Sequence, residues 1–89
     1  MGTQGTYSVL VEVRLRPGIA DPQGATIERA LPALGLDGVV GVRAGKAFRF
    51  EIDADDEATA LERSTVVADR VLANPVIEES TVTVTGPVG

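Results

Sequence analysis

Few residues in this chain could do chemistry. The 89 residues include no histidine and no cysteine, so the commonest general base and the thiolate nucleophile are both missing. Disulfides and Cys-ligated zinc go with them, and no Ser or Thr has an obvious base to activate it. Lys46, the single lysine, follows Gly45 in a predicted turn. It reads either as a solvated turn residue or as a contact for a partner's carboxylate or phosphate. Arg43 and Arg49 flank that turn and would add to a positive patch, or else pair across strands with acids such as Glu12 or Glu51. Asp53, Asp55, Asp56 and Glu57 crowd four carboxylates together, but the central glycine and distal glutamate of a calcium loop are absent. They read as charge at a helix N-terminus. Gly18 and Gly24 bracket another predicted helix start, where backbone amides can bind anions, yet the glycine-rich phosphate fingerprints are incomplete.

The elements that must position these residues are short. A chain of 89 residues has room for one domain, and a domain that small buries only about 60–65% of its unfolded surface. With 44% hydrophobic residues but only Tyr7, Phe48 and Phe50 as aromatics, the core must come from Val, Leu, Ile and Ala, and help from a second copy or a partner is expected. Lys and Arg number 8 against 13 Asp and Glu, a net charge of −5. That balance argues against a nucleic-acid partner. No apolar run approaches 18 residues, so no membrane partner is expected, and the predicted location is cytoplasmic.

From Tyr7 to Leu15 apolar residues fall at every odd position, the mark of a strand with one buried face. Pro17-Gly18 stops it. Asp21 before Pro22 predicts a helix N-cap followed by proline at the first helical position. Ile27, Ala30, Leu31 and Leu34 share one face of that helix, Gly35 supplies a stop, and Pro32 predicts a kink or an early end. Val40, Val42, Phe48, Phe50 and Ile52 keep one parity across Ala44-Gly45-Lys46. This predicts either a hairpin with the three-residue loop Ala44 to Lys46, which is slightly favoured, or one long bent strand. Asp53 or Asp55 is expected to cap a second helix whose inward stripe is Leu61, Thr65, Ala68, Val71 and Leu72. Asn74-Pro75 ends that helix through a left-handed asparagine, and a last strand alternates at Ser80, Val82 and Val84. The expected fold is α+β: a small two-layer domain over residues 7–85, its mostly antiparallel sheet carrying two helices on one face, in the order strand, helix, one or two strands, helix, strand. Residues 1–6 and 86–89 are expected to be flexible.

Three junction segments stand out: Arg16-Pro17-Gly18 running into Asp21-Pro22-Gln23-Gly24, then Arg43-Ala44-Gly45-Lys46, then Asn74-Pro75-Val76-Ile77-Glu78. Together, in this order and spacing, they resemble the PurS family, the small subunit of phosphoribosylformylglycinamidine synthase. The resemblance runs from about Tyr7 to Thr83. It implies a non-catalytic assembly subunit that bridges a glutaminase subunit and a synthetase subunit and aids ammonia transfer between them. It also implies that ATP, Mg and glutamine are used by the complex, with no cofactor held by this subunit. A homodimer or dimer of dimers is expected, because pairing covers sheet edges and enlarges a marginal core. Arg43 and Lys46 are the candidate partner-docking residues, and no catalytic or metal-ligating residue is assigned. The rival reading is a stand-alone dimeric regulatory domain that binds a small molecule.

Overall fold

A computed structural model describes residues 5–88. Three antiparallel strands form one sheet in the order β2-β1-β3, with β1 (Gly5–Leu15) at its centre, β2 (Gly45–Ala54) on one side and β3 (Glu78–Val88) on the other. Val9 stands opposite Phe50 and Val84, and Val11 opposite Phe48 and Val82. The odd-numbered face of β1 therefore meets the even-numbered faces of both neighbours. Tyr7, Val9, Val11 and Val13 are buried there, as their alternation predicts. The opposite face is polar, with Ser8, Glu12 and Arg14 beside Arg49, Glu51 and a row of threonines at 81, 83 and 85.

Helix α2 (Glu57–Val67) and a π-helical turn (Ala68–Leu72) lie across the apolar face and touch all three strands. Residues Ala60, Ser64 and Ala68 face the sheet, each 0% exposed. Ala68 and Leu72 of the expected stripe do pack on the core, and the rest of the stripe is corrected. Leu61, Thr65 and Val71 point outward, because the small residues spaced four apart let the helix settle close to the strands. Asp56, not Asp53 or Asp55, is the N-cap, its carboxylate accepting the Thr59 amide at 2.7 Å. Asn74 is not left-handed, since every positive-φ residue described is a glycine. It ends the helical segment by an Asx turn instead, Oδ1 accepting from the Val76 amide at 3.1 Å.

Helix α1 (Pro22–Ala30) closes just before Pro32, as proline requires, and a 3₁₀ turn (Pro32–Leu34) carries the chain to a left-handed Gly35. Unlike α2, α1 makes no extensive contact with the sheet, so only one of the two helices covers the expected face. Residues 39–44 form neither a hairpin arm nor an extension of β2, which overturns both expectations for that segment. The parity of Val40 and Val42 is real, but no neighbouring strand is there to pair with them. At the ends, β1 takes in Gly5 and Thr6, and β3 runs on through Gly86 to Val88. Those five residues are strand and extend the domain beyond the expected bounds of 7–85, while positions 1–4 and 89 lie outside the described residues. Within the described residues no helix is long and apolar enough to cross a membrane.

Candidate functional site

The three junction segments meet at one end of the sheet, around a cleft of 530 Å³ lined by Val13, Leu15, Pro22, Gln23, Gly45 and Lys46 among others. Two carboxylates organise it. Asp21, its side chain 5% exposed, accepts the Gly24 amide at 2.9 Å on one oxygen and the Ala44 amide at 2.7 Å on the other. One residue thus caps α1 and holds the start of β2 against it. The amide of Gly24, then that of Ala44, hold the Asp21 carboxyl below the usual carboxylate range; burial opposes this and the Arg43 guanidinium adds to it.

Glu78 is the second organiser, its side chain 16% exposed. One of its oxygens accepts the Asn74 amide at 2.7 Å and the other lies 3.7 Å from Lys46 Nζ. The Asn74 carbonyl accepts from the Glu78 amide at 2.7 Å and from the Ile77 amide at 3.1 Å. Arg16, just past the end of β1, closes the ring. Its backbone amide donates to the Ile77 carbonyl at 2.8 Å, and its Nε donates to the Pro75 carbonyl at 3.0 Å. Most of the motif is therefore occupied by its own internal bonding.

The two glycines at the centre are required by space. A Cβ on Gly24 would stand 2.5 Å from the Val42 carbonyl oxygen, and one on Gly45 would stand 2.8 Å from the Val13 carbonyl oxygen. Gly24 thus lets the backbone of the loop before β2 approach α1 closely. The tight approach explains why Asp21-Pro22-Gln23-Gly24 and Arg43-Ala44-Gly45-Lys46 belong to one local structure although they are distant in sequence.

The cations placed at this junction by sequence are only half free. Lys46 faces Glu78 and lies 5.9 Å from the centre of the Phe48 ring. The Arg43 guanidinium lies 3.9 Å from Asp21 and donates to the Ile19 carbonyl at 3.3 Å. Each keeps about half its side chain in solvent, 51% for Lys46 and 49% for Arg43. Arg49 stands opposite Leu10, not opposite an acid. Pro22 and Gln23 lie exposed in the cleft lining, Pro17, Asn74, Pro75 and Ile77 are exposed, and Gly18 turns the chain out of β1. Sequence reasoning missed Glu28, whose Oε1 accepts the Val42 amide at 2.9 Å. Its position one helical turn after Gly24, on the same face of α1, is the signal that could have found it.

Of the four crowded acids, Asp53 and Asp56 do structural work. Asp53 accepts the Thr6 hydroxyl at 2.8 Å, and its carbonyl accepts from Arg63 at 2.7 Å. The Thr59 amide holds the Asp56 carboxyl below the usual range, with help from the Thr59 hydroxyl. Among the described residues no three His, Cys, Asp or Glu side chains are grouped to hold a metal ion.

A profile of the PurS family, described as phosphoribosylformylglycinamidine (FGAM) synthase, matches residues 8–86. The PurS subunit of phosphoribosylformylglycinamidine synthase from Mycobacterium leprae is 46% identical over 76 residues, which cover 83% of this chain and 90% of that protein. The crystal structure of the purS subunit from Thermotoga maritima superposes with a TM-score of 0.85 at 32% identity, covering 93% of this chain and 95% of the other. A chain of the solved PurLQS structure from the same organism gives a TM-score of 0.83 at 31% identity, covering 90% and 98%. Sequence and fold agree: this chain belongs to the PurS family of phosphoribosylformylglycinamidine synthase subunits.

Proposed function

We propose that this chain is the small, non-catalytic assembly subunit of a multi-component phosphoribosylformylglycinamidine synthase in purine biosynthesis. The observation that carries the reading is its match to nearly the whole of a chain from the PurLQS assembly, at a TM-score of 0.83 and 98% coverage of that chain. The side-chain chemistry supports it. With no histidine or cysteine, and with Asp21 and Glu78 bonded internally, the chain offers no nucleophile paired with a base. Glutamine, ATP and Mg are then used by a glutaminase subunit and a synthetase subunit. This chain bridges the two, aids ammonia delivery between them, and works as a homodimer or dimer of dimers.

Mixing the purified chain with those two subunits in the presence of glutamine and Mg-ADP tests the reading. Co-elution of all three, and glutamine-dependent synthesis that requires the small chain, are the expected results. The chain alone should show no glutaminase, ATPase or synthetase activity. Turnover that co-elutes with the pure chain, or a complex fully active without it, would overturn the proposal.

The half-exposed faces of Arg43 and Lys46 are the proposed docking cations at the cleft rim. Reversing Lys46 to glutamate would set a like charge against the mostly buried Glu78, so Lys46→Gln is the cleaner probe. With Lys46 half in solvent and Glu78 still accepting the Asn74 amide, loss of the pair should cost on the order of 1 kcal/mol, so Lys46→Gln should leave the circular dichroism spectrum unchanged. It should slow complex assembly and reduce the salt dependence of the association rate. Assembly kinetics equal to wild type at low and high salt would remove Lys46 from the interface.

A further inference from the structure

Lys46 stands alone among the cations of this chain, one lysine against seven arginines. A guanidinium keeps its proton in proteins, whereas an ε-amine can lose one and act as a nucleophile. Any reaction directed at a lysine therefore falls on this one position. The position is also open. Lys46 keeps 51% of its side chain in solvent, and it lines the 530 Å³ cleft together with Val13, Leu15, Pro22 and Ala44. An incoming acyl group would find the amine within reach and apolar walls beside it.

The contacts that hold the ammonium are loose. Its Nζ lies 3.7 Å from Glu78, beyond hydrogen-bond distance, and 5.9 Å from the centre of the Phe48 ring. Glu78 does not depend on it, because that carboxylate also accepts the Asn74 amide at 2.7 Å. An amide at Lys46 would keep an N–H to offer Glu78, while losing the positive charge and the cation–π contact. The fold withstands that loss, but the rim changes its charge. Of the two docking cations, Arg43 is an arginine held by Asp21 and by the Ile19 carbonyl. Lys46 is thus the one whose charge acylation can remove.

We infer that Lys46 is an acylation site whose modification switches off docking of this chain to its catalytic partners. The inference rests on the docking role proposed for Lys46 and adds how that role is regulated. The co-reactant is an acyl phosphate. The amine, its proton given to water, attacks the acyl carbonyl carbon. A C–N bond forms, the C–O bond to phosphate breaks, and phosphate leaves with the electron pair. No oxidant or reductant takes part. One positive charge disappears from the rim of a chain that already carries −5, which slows the approach of an acidic partner surface.

Treatment of the full chain with acetyl phosphate tests it. Peptide mass spectrometry should find Lys46 acetylated in the folded chain as well as in urea. The acetylated chain should keep its circular dichroism spectrum and assemble with the glutaminase and synthetase subunits at least about threefold more slowly at low salt. Lys46→Arg, carried through the same treatment, should assemble at one rate before and after it, which confines the effect to this position. Acetylation of Lys46 in urea but not in the folded chain would overturn the site and leave the docking role of Lys46 standing. An acetylated chain that assembles at the untreated rate, while Lys46→Gln is slow, would overturn the switch alone. Equal rates for the untreated chain, the acetylated chain and Lys46→Gln would remove the switch and the docking role together.

Discussion

In the body of this molecule, the sheet and α2, side chains hold side chains. Val9, Val11 and Val13 are enclosed by Phe48, Phe50, Val82 and Val84 from the flanking strands and by Ala68 from above. In the arm, residues 19–44, Gly24 is the only buried residue, and what fixes the backbone is a pair of carboxylates. Asp21 grips the Ala44 amide and Glu28 grips the Val42 amide. Apolar burial is non-directional and spreads over the whole body. The arm instead depends on two directed contacts that a single substitution can break. The comparison separates what keeps this chain folded from what keeps its motif segments in place.

The largest effect is expected from the body. Val11 is 0% exposed on the central strand, and Val11→Ala removes two methyl groups and leaves a cavity. Urea unfolding should show a loss of about 2 kcal/mol, a large share of the stability of so small a domain. A loss below about 0.5 kcal/mol would mean that the sheet core is not the main support.

Gly24→Ala should break the arm while sparing the body, because the new Cβ would stand 2.5 Å from the Val42 carbonyl oxygen and 2.6 Å from Asp21. Hydrogen exchange at the Val42 and Ala44 amides should accelerate at least about fivefold, with β1 amides unchanged. Equal acceleration in both regions would show that arm and body open as one unit.

Acid separates the two regions by charge. The folded-state pKa of Asp21 is depressed, so its contribution is present above the unfolded carboxylate value, near 3.9. It is lost as pH falls through the still lower folded value. Exchange at Ala44 should therefore rise below about pH 4, ahead of exchange in β1. Asp56 titrates in the same direction at the start of α2, so the Asp21→Asn variant supplies the control. Its Ala44 exchange should be fast already at pH 7 and nearly flat on acidification, apart from the intrinsic rate.

The smallest effect has the opposite sign. Ser64 is 0% exposed and its hydroxyl has no hydrogen-bond partner. Ser64→Ala removes an unsatisfied polar group with little change of volume and should stabilise the chain by up to about 1 kcal/mol. Destabilisation in urea would mean that the hydroxyl is bonded.

The same division governs how much could be read from sequence. Alternation at Val9, Val11 and Val13, and at Val82 and Val84, depends on local geometry with period two, and it placed the body strands correctly. Pro32 ended α1 where its ring must. The second helix was misread because hydrophobicity singles out Leu61 and Val71, whereas close packing selects small residues. The run Ala60, Ser64, Ala68 was the available signal. Three aspartates at 53, 55 and 56 left the α2 cap ambiguous. At the junction, the motif residues were legible as a group, but their mutual contacts were not. The Asp21–Ala44 and Lys46–Glu78 contacts span long stretches of chain whose approach only the fold determines. Residues 27–42 carried a core pattern that one chain does not satisfy.

Residue-resolved hydrogen exchange on the wild-type chain tests this division most directly. The expected result is slow exchange in β1, intermediate exchange at the Val42 and Ala44 amides that the two carboxylates hold, and fast exchange across residues 37–41. Arm amides as protected as those of β1 would contradict it.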